Sequence, residues 1–299
     1  MAHSYIENLI KEEKLPASFA KQVEQYYLPI AGQIGRSAKI KSMVLGLQGS
    51  QGSGKSTTAL FLKAILEQEH QLKCAVLSLD DFYLSKLERQ SLSQKVHPLL
   101  ATRGVPGTHD VDFAIRTIQN LLNSERKQSV KLPRFNKAMD DRYDESFWDK
   151  QNPPVDIVIF EGWCVGAEAQ SLEELAEPIN KLEQDEDSNG SWRRYINNKL
   201  EHEYQQLFSL IDALIVVEAP SFDCVFEWRS LQEKKLRDKS QQEHSLATQI
   251  MDEQELLRFI SHYERLTRHC LKTLGPKSHF LLKLRSDHQV ESLQISRSL

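Results

Sequence analysis

Five short apolar runs punctuate the chain: Met43–Gln48, Cys74–Leu79, Asp156–Phe160, Ala213–Val217 and His279–Leu284. Each is four to eight residues long and lacks polar alternation, the pattern of a strand covered on both faces. Between them lie stretches with helical spacing: Lys55–Glu69, Val111–Asn123, Ser191–Leu210, Phe222–Lys239 and Asp252–Leu274. Strands that alternate with helices predict an α/β fold, a doubly wound parallel sheet. Residues 1–38 read as a helical extension packed on this core. Tyr5, Ile6, Leu9 and Ile10 fall near helical spacing, and Pro16 interrupts before a second helical run. Residues 39–299 then form the main domain. Ser129–Phe135 reads as part of a side ribbon, and Glu183–Gly190, with its acid run and Asn-Gly, as a solvated loop.

Length and composition narrow the classes. The 299 residues suit one large α/β domain with insertions, and 40% hydrophobic with 27% charged residues suits a soluble globular chain. A net charge of −4 offers no basic field for nucleic acid, so a small-molecule partner is expected. No apolar run reaches the roughly 20 residues that cross a bilayer, and the first residues lack a signal-peptide pattern, so the expected location is cytoplasmic. Cys74, Cys164, Cys224 and Cys270 show neither CxxC nor zinc spacing and read as reduced thiols.

Gly49-Ser50-Gln51-Gly52-Ser53-Gly54-Lys55-Ser56 matches GxxxxGK[ST] in full, and Thr57 continues it into a helix. The motif follows an apolar strand, the context it requires. Its glycines let backbone N–H groups face phosphate oxygens, and the helix start adds its dipole. Lys55 brings a point charge to the β- and γ-phosphates, and the Ser56 hydroxyl can ligate Mg²⁺. The cofactors expected are therefore ATP and Mg²⁺.

Two further strand ends carry acids. Ligands of an open parallel sheet bind beyond the carboxyl ends of the strands. Asp80 and Asp81 follow the second run, and Glu161 ends the third. Asp80, nearer the strand, is read as the base that takes a hydroxyl proton, with a metal-side role also open to it; Asp81 is read as structural. Glu161 occupies the position of a carboxylate that holds Mg²⁺ or its water. Trp163 fits either the substrate pocket or the core.

The run Leu79-Asp80-Asp81-Phe82-Tyr83 after such a loop resembles the phosphoribulokinase, uridine kinase and bacterial pantothenate kinase group. Three more segments, Arg103–Asp110, Leu132–Lys137 with Asp141-Arg142, and Phe160–Gly166, make the chain similar to the D-glycerate 3-kinase family of plants and fungi and its bacterial relatives. It departs from them in carrying Asn136 where relatives tend to have Asp, and in a short stretch between Lys137 and Asp141. The resemblance implies transfer of the γ-phosphoryl group of ATP to a hydroxyl of D-glycerate. Glycerate's carboxylate calls for a cation, and Arg103, Arg134, Lys137 and Arg142 stand in loops suited to it. Tyr83 and His109 join them as substrate-side candidates, with helix packing and helix capping as their structural alternatives. Fold resemblance also implies a basic helical lid, where Arg229 and Arg237 lie eight residues apart near one helix face. A pantothenate- or nucleoside-type kinase is the alternative within this chemistry. An ATP-binding regulatory protein without phosphotransfer is the alternative outside it, and the intact set Lys55, Ser56, Asp80 and Glu161 argues against it.

Overall fold

The computed structural model describes residues 4–231 and 253–296. A six-stranded sheet runs in the order β10-β9-β8-β1-β7-β2. Its strands are β1 (Met43–Gly49), β2 (Cys74–Ser78), β7 (Ile157–Gly162), β8 (Ala213–Glu218), β9 (Phe280–Leu284) and β10 (Val290–Ile295). The first five are mutually parallel and correspond to the five apolar runs, whereas β10 pairs antiparallel with β9. The sequence pattern did not predict β10. In Val290-Glu-Ser-Leu-Gln-Ile, only Val290 is buried, as befits an edge strand, so no apolar run marks it.

Both faces of the sheet are covered, and alternate residues of each strand serve opposite layers. Leu45, Ile157, Ile159 and Ile215 pack beneath the N-terminal helices α1 (Ser4–Glu12), α2 (Phe19–Gln22) and α3 (Leu28–Ala38) and the helix α4 (Lys55–His70). Val44, Val158, Phe160 and Val216 pack on the other layer, which α5 (Lys86–Lys95) borders and α6 (Val111–Leu122) helps to form. Further along the chain, α7 (Lys181–Glu186), α8 (Ser191–Lys199), α9 (Gln205–Phe208), α10 (222–231) and α11 (Glu253–Thr273) complete the helices among the described residues. A π-helical stretch, Leu200–Tyr204, joins α8 to α9, so the run expected as one helix bulges there. No helix is long and apolar enough to cross a membrane among the described residues.

The side ribbon is two ribbons. β3 (Val130–Leu132) pairs with β6 (Asp149–Gln151), and β4 (Phe135–Asn136) pairs with β5 (Asp141–Arg142), all antiparallel. Pro133, which has no N–H to give a ladder, separates them.

Glu183–Gly190 is not a solvated loop. Glu183 lies within α7 and is fully buried, held by the Arg265 guanidinium at 2.6 Å. Asp187 is also buried; it pairs with Arg193 at 3.0 Å and accepts the Trp192 and Arg193 N–H groups at the start of α8. Glu183 finds its partner on α11, far along the chain, and Asp187 on the adjoining α8, pairings that local composition does not reveal.

Candidate active site

β1 leads straight into the phosphate loop, and α4 begins at Lys55. Gly54 caps that helix with a φ of +82°, a conformation open to glycine at little cost. A Cβ on Gly54 would meet no atom within 4 Å, so the mouth of the helix is open. The first N–H groups of any helix lack intrahelical partners. Here the Ser50 and Ser53 hydroxyl oxygens are also buried without a partner. Unsatisfied donors around an open cradle fit a polyphosphate.

Parallel pairing sets Glu161 opposite Leu47 on β1 and opposite Ser78 on β2. The Ser56 hydroxyl donates to Glu161 Oε1 at 3.2 Å, while Oε2 is buried without a partner. A hydroxyl and a half-satisfied carboxylate side by side fit Mg²⁺, a hard cation that takes few protein oxygens and completes its shell with phosphate and water.

Asp80 and Asp81 lie in the 3₁₀ turn Leu79–Phe82 at the end of β2. Their surroundings differ. Asp80 accepts the Tyr83 hydroxyl on Oδ1 at 2.7 Å and the Lys137 ammonium on Oδ2 at 2.6 Å. Burial alone would push its pKa up, but Lys137 and Lys55, with those hydrogen bonds, hold it well below the usual carboxylate range. Asp81 turns away from the cavity. It accepts the Phe135 N–H at 3.0 Å and pairs with Arg134 at 3.1 Å, tying β4 to β2; burial raises its pKa.

A cavity of about 350 Å³ joins these parts. Gln51, Gly52, Gly54, Lys55, Ser56 and Thr57 of the phosphate loop line it together with Asp80, Tyr83, Arg103, Lys137 and Arg229. The four substrate-side cations therefore divide. Arg103 and Lys137 face the cavity. Arg134 is taken up by Asp81 and by Asp149 at 2.9 Å. Arg142 donates to the Tyr83 carbonyl at 2.8 Å and lies near Asp110 and Glu88. Neither Arg134 nor Arg142 lines the cavity, and acids from other segments lie beside both.

His109 is also behind the wall. It stacks on Tyr83 with ring centroids 4.5 Å apart, and it pairs through its Nδ1 with the Tyr204 hydroxyl at 2.5 Å. The Tyr204 hydroxyl also accepts the Gly107 N–H at 3.0 Å, while His109 Nε2 is buried without a partner. Burial pushes the His109 pKa down to about 3, so the ring is neutral. The cap of α6 is Asp110, which accepts the Phe113 N–H at 3.0 Å. Of the two arginines expected in a lid, Arg229 lies over the Phe259 ring at 5.8 Å, and Arg237 falls outside the described residues.

Several cavity residues had no strong local signal. Trp163 both lines the cavity and belongs to the core, donating its Nε1–H to the Gly104 carbonyl at 3.0 Å. Phe259 and Tyr263, one helical turn apart on α11, complete the wall; Tyr263 donates to the Arg103 carbonyl at 2.9 Å. Asp140 holds Arg103 and also the fully buried Arg89, the latter at 2.6 Å. Both guanidinium groups lie over the Phe135 ring, at 5.5 Å for Arg103 and 5.7 Å for Arg89.

A phosphate loop backed by a strand-end acid is common to nucleotide hydrolases and kinases alike. A second carboxylate, Asp80 in the turn after β2, lines the cavity beside the phosphate loop, where an acceptor hydroxyl requires one, and the class is that of P-loop kinases. No family model matches the chain. Among known proteins, mug58, an uncharacterized kinase of Schizosaccharomyces pombe, is 36% identical over 253 residues, covering 80% of this chain and 84% of the yeast protein. The chloroplastic D-glycerate 3-kinase of Arabidopsis thaliana is 28% identical over 284 residues; the match covers 89% of this chain and 58% of the plant protein. The solved D-glycerate 3-kinase of Cryptococcus neoformans shares the fold with a TM-score of 0.73 at 24% identity, over 94% of this chain and 100% of that one. The chain belongs to the family of the Schizosaccharomyces pombe kinase, is similar to these D-glycerate 3-kinases, and is a phosphotransferase with an alcohol acceptor.

Proposed function

We propose that the chain transfers the γ-phosphoryl group of ATP to a hydroxyl of D-glycerate. The observation that carries this reading is the meeting of Asp80, Arg103 and Lys137 in one cavity with the phosphate loop. A small hydroxy acid needs a base for its hydroxyl and a cation for its carboxylate, and the cavity has both. The plant relative named D-glycerate 3-kinase supports the same acceptor.

In this reaction the acceptor oxygen forms a bond to the γ-phosphorus, and the bond from that phosphorus to the β–γ bridging oxygen breaks. ADP leaves with the electron pair, and the hydroxyl proton passes to Asp80. Lys55 and the loop amides hold the phosphates in line. Arg229 balances charge that builds on the transferring group. Ser56 and Glu161 would hold Mg²⁺, which when bound neutralises phosphate charge. Arg103, fixed by Asp140, presents its guanidinium to the acceptor's carboxylate.

ATP-coupled turnover against D-glycerate, pantothenate and uridine tests the assignment. Turnover of D-glycerate above the other two is expected. Turnover of pantothenate or uridine without D-glycerate overturns the acceptor and leaves only the kinase.

A further inference from the structure

Lys137 stands between two demands. Its ammonium sits on Asp80 Oδ2 at 2.6 Å, the second oxygen being occupied by Tyr83. Its side chain is nevertheless 63% exposed, against 24% for Asp80. The backbone beneath it is fixed: Asn136 Oδ1 accepts the Ala138 and Met139 N–H groups at 3.0 and 3.1 Å, and Asp140 is pinned by Arg89. A loop held by its own hydrogen bonds thus carries one long, largely exposed cation. Arg103, by contrast, is pinned by Asp140 and stacked near Phe135.

Only the lysine side of this pair is open to solvent, and there an acceptor's carboxylate can compete with Asp80 for the ammonium. A lysine suits such an exchange, since its three donors rotate on a four-carbon stem. Resting on the proposed acid acceptor, we propose that Lys137 is a specificity residue that couples phosphotransfer to the acceptor's negative charge. In the free protein it covers Asp80. An acceptor carboxylate seated on Arg103 draws Lys137 from Asp80 Oδ2, and that oxygen then receives the hydroxyl proton. A neutral acceptor with the same hydroxyl leaves Lys137 on the base. Discrimination against polyols then arises in the chemical step as well as in binding.

Glycerol, which lacks the carboxylate, separates the two contributions, with formate supplied as a detached carboxylate. Wild-type protein is assayed with D-glycerate, with glycerol, and with glycerol plus formate, using chloride at equal ionic strength as control. Formate is expected to raise kcat for glycerol by about 10-fold or more, the scale of one charge-assisted hydrogen bond. In Lys137→Met, kcat/KM for D-glycerate should fall about 10- to 100-fold on the same scale, and formate should no longer stimulate glycerol turnover. Lys137→Arg should restore carboxylate binding, seen in KM, better than it restores kcat. Wild-type turnover of D-glycerate with no formate effect on glycerol overturns the role of Lys137 alone, as does Lys137→Met with undiminished preference for the acid. Absence of D-glycerate turnover in the wild type overturns the acceptor assignment and this proposal together.

Discussion

Asp80 and Asp81 are adjacent and chemically identical, yet their surroundings assign them different work, and exchange of each for Asn separates the two. Asp80→Asn keeps the size of the side chain and an oxygen for Tyr83 or Lys137, but it cannot take a proton. Loss of a positioned general base lowers kcat by about 10²- to 10⁴-fold. The phosphate loop does not use Asp80 for its shape, so ATP affinity should hold or rise slightly as a negative charge leaves the cavity. Asp81→Asn keeps an acceptor for the Phe135 N–H and weakens only the pair with Arg134, whose side chain is 37% exposed and keeps Asp149. A partly exposed pair of this kind is worth about 1 kcal/mol or less. The cost should therefore appear as a small loss of stability in urea unfolding, with kcat within a few-fold of wild type. The assay is kcat at saturating ATP and acceptor, beside ATP titration of each variant. If Asp81→Asn loses as much kcat as Asp80→Asn, or Asp80→Asn retains wild-type turnover, the division of roles is refuted.

Three further outcomes follow from the site. Arg103→Ala should raise KM for D-glycerate about 10- to 100-fold with little change in KM for ATP, while Arg134→Ala should leave both constants nearly unchanged; the reverse ranking would place the carboxylate elsewhere. Gly104→Ala should cripple acceptor binding, because Gly104 has a φ of +129° and an added Cβ would stand 2.0 Å from the Tyr263 hydroxyl; a fully active variant would show that the Tyr263 wall is dispensable. His109 has a folded pKa lowered from 6.5 to about 3, so as pH falls below 6.5 the unfolded chain gains a proton that the folded chain does not, and stability drops. That one group should remove about 2 kcal/mol between pH 7 and pH 5, and urea unfolding of His109→Gln should show a correspondingly flatter pH dependence.

The parallel strands were legible because a strand buried on both faces must be apolar throughout, as Met43–Gly49 and Ile157–Gly162 are. β10 was not, since one exposed edge needs no such run. The phosphate loop was legible for a related reason: its chemistry is carried by contiguous backbone. The acceptor end is built otherwise. Arg103, Arg134, Lys137 and Arg142 all stand in loops, and what separates them in the fold is which acid each meets. Asp149 and Asp81 reach Arg134 from two other strand ends, while Asp140 fixes Arg103 at the cavity. Tyr263 comes from a helix 160 residues further along the chain than Arg103, whose carbonyl it binds. Such partnerships exist only once the sheet has assembled.

The N-terminal helical segment also touches the last strand. Gln22 Oε1 accepts the Val290 N–H at 2.9 Å, and the Tyr26 hydroxyl reaches the Glu291 carbonyl at 3.4 Å. On the ribosome, the helices that cover one face of the sheet emerge before any strand they cover, and the contact with β10 waits for some 265 further residues. Ile6, Val23, Ile30 and Ile34, all buried in the finished fold, meet α4 soon after they emerge, but the layer they form is completed only when β9 and β10 arrive. Closure of that layer is therefore a late event of high contact order, and nascent chains halted before β10 are expected to expose it to chaperones or to aggregation.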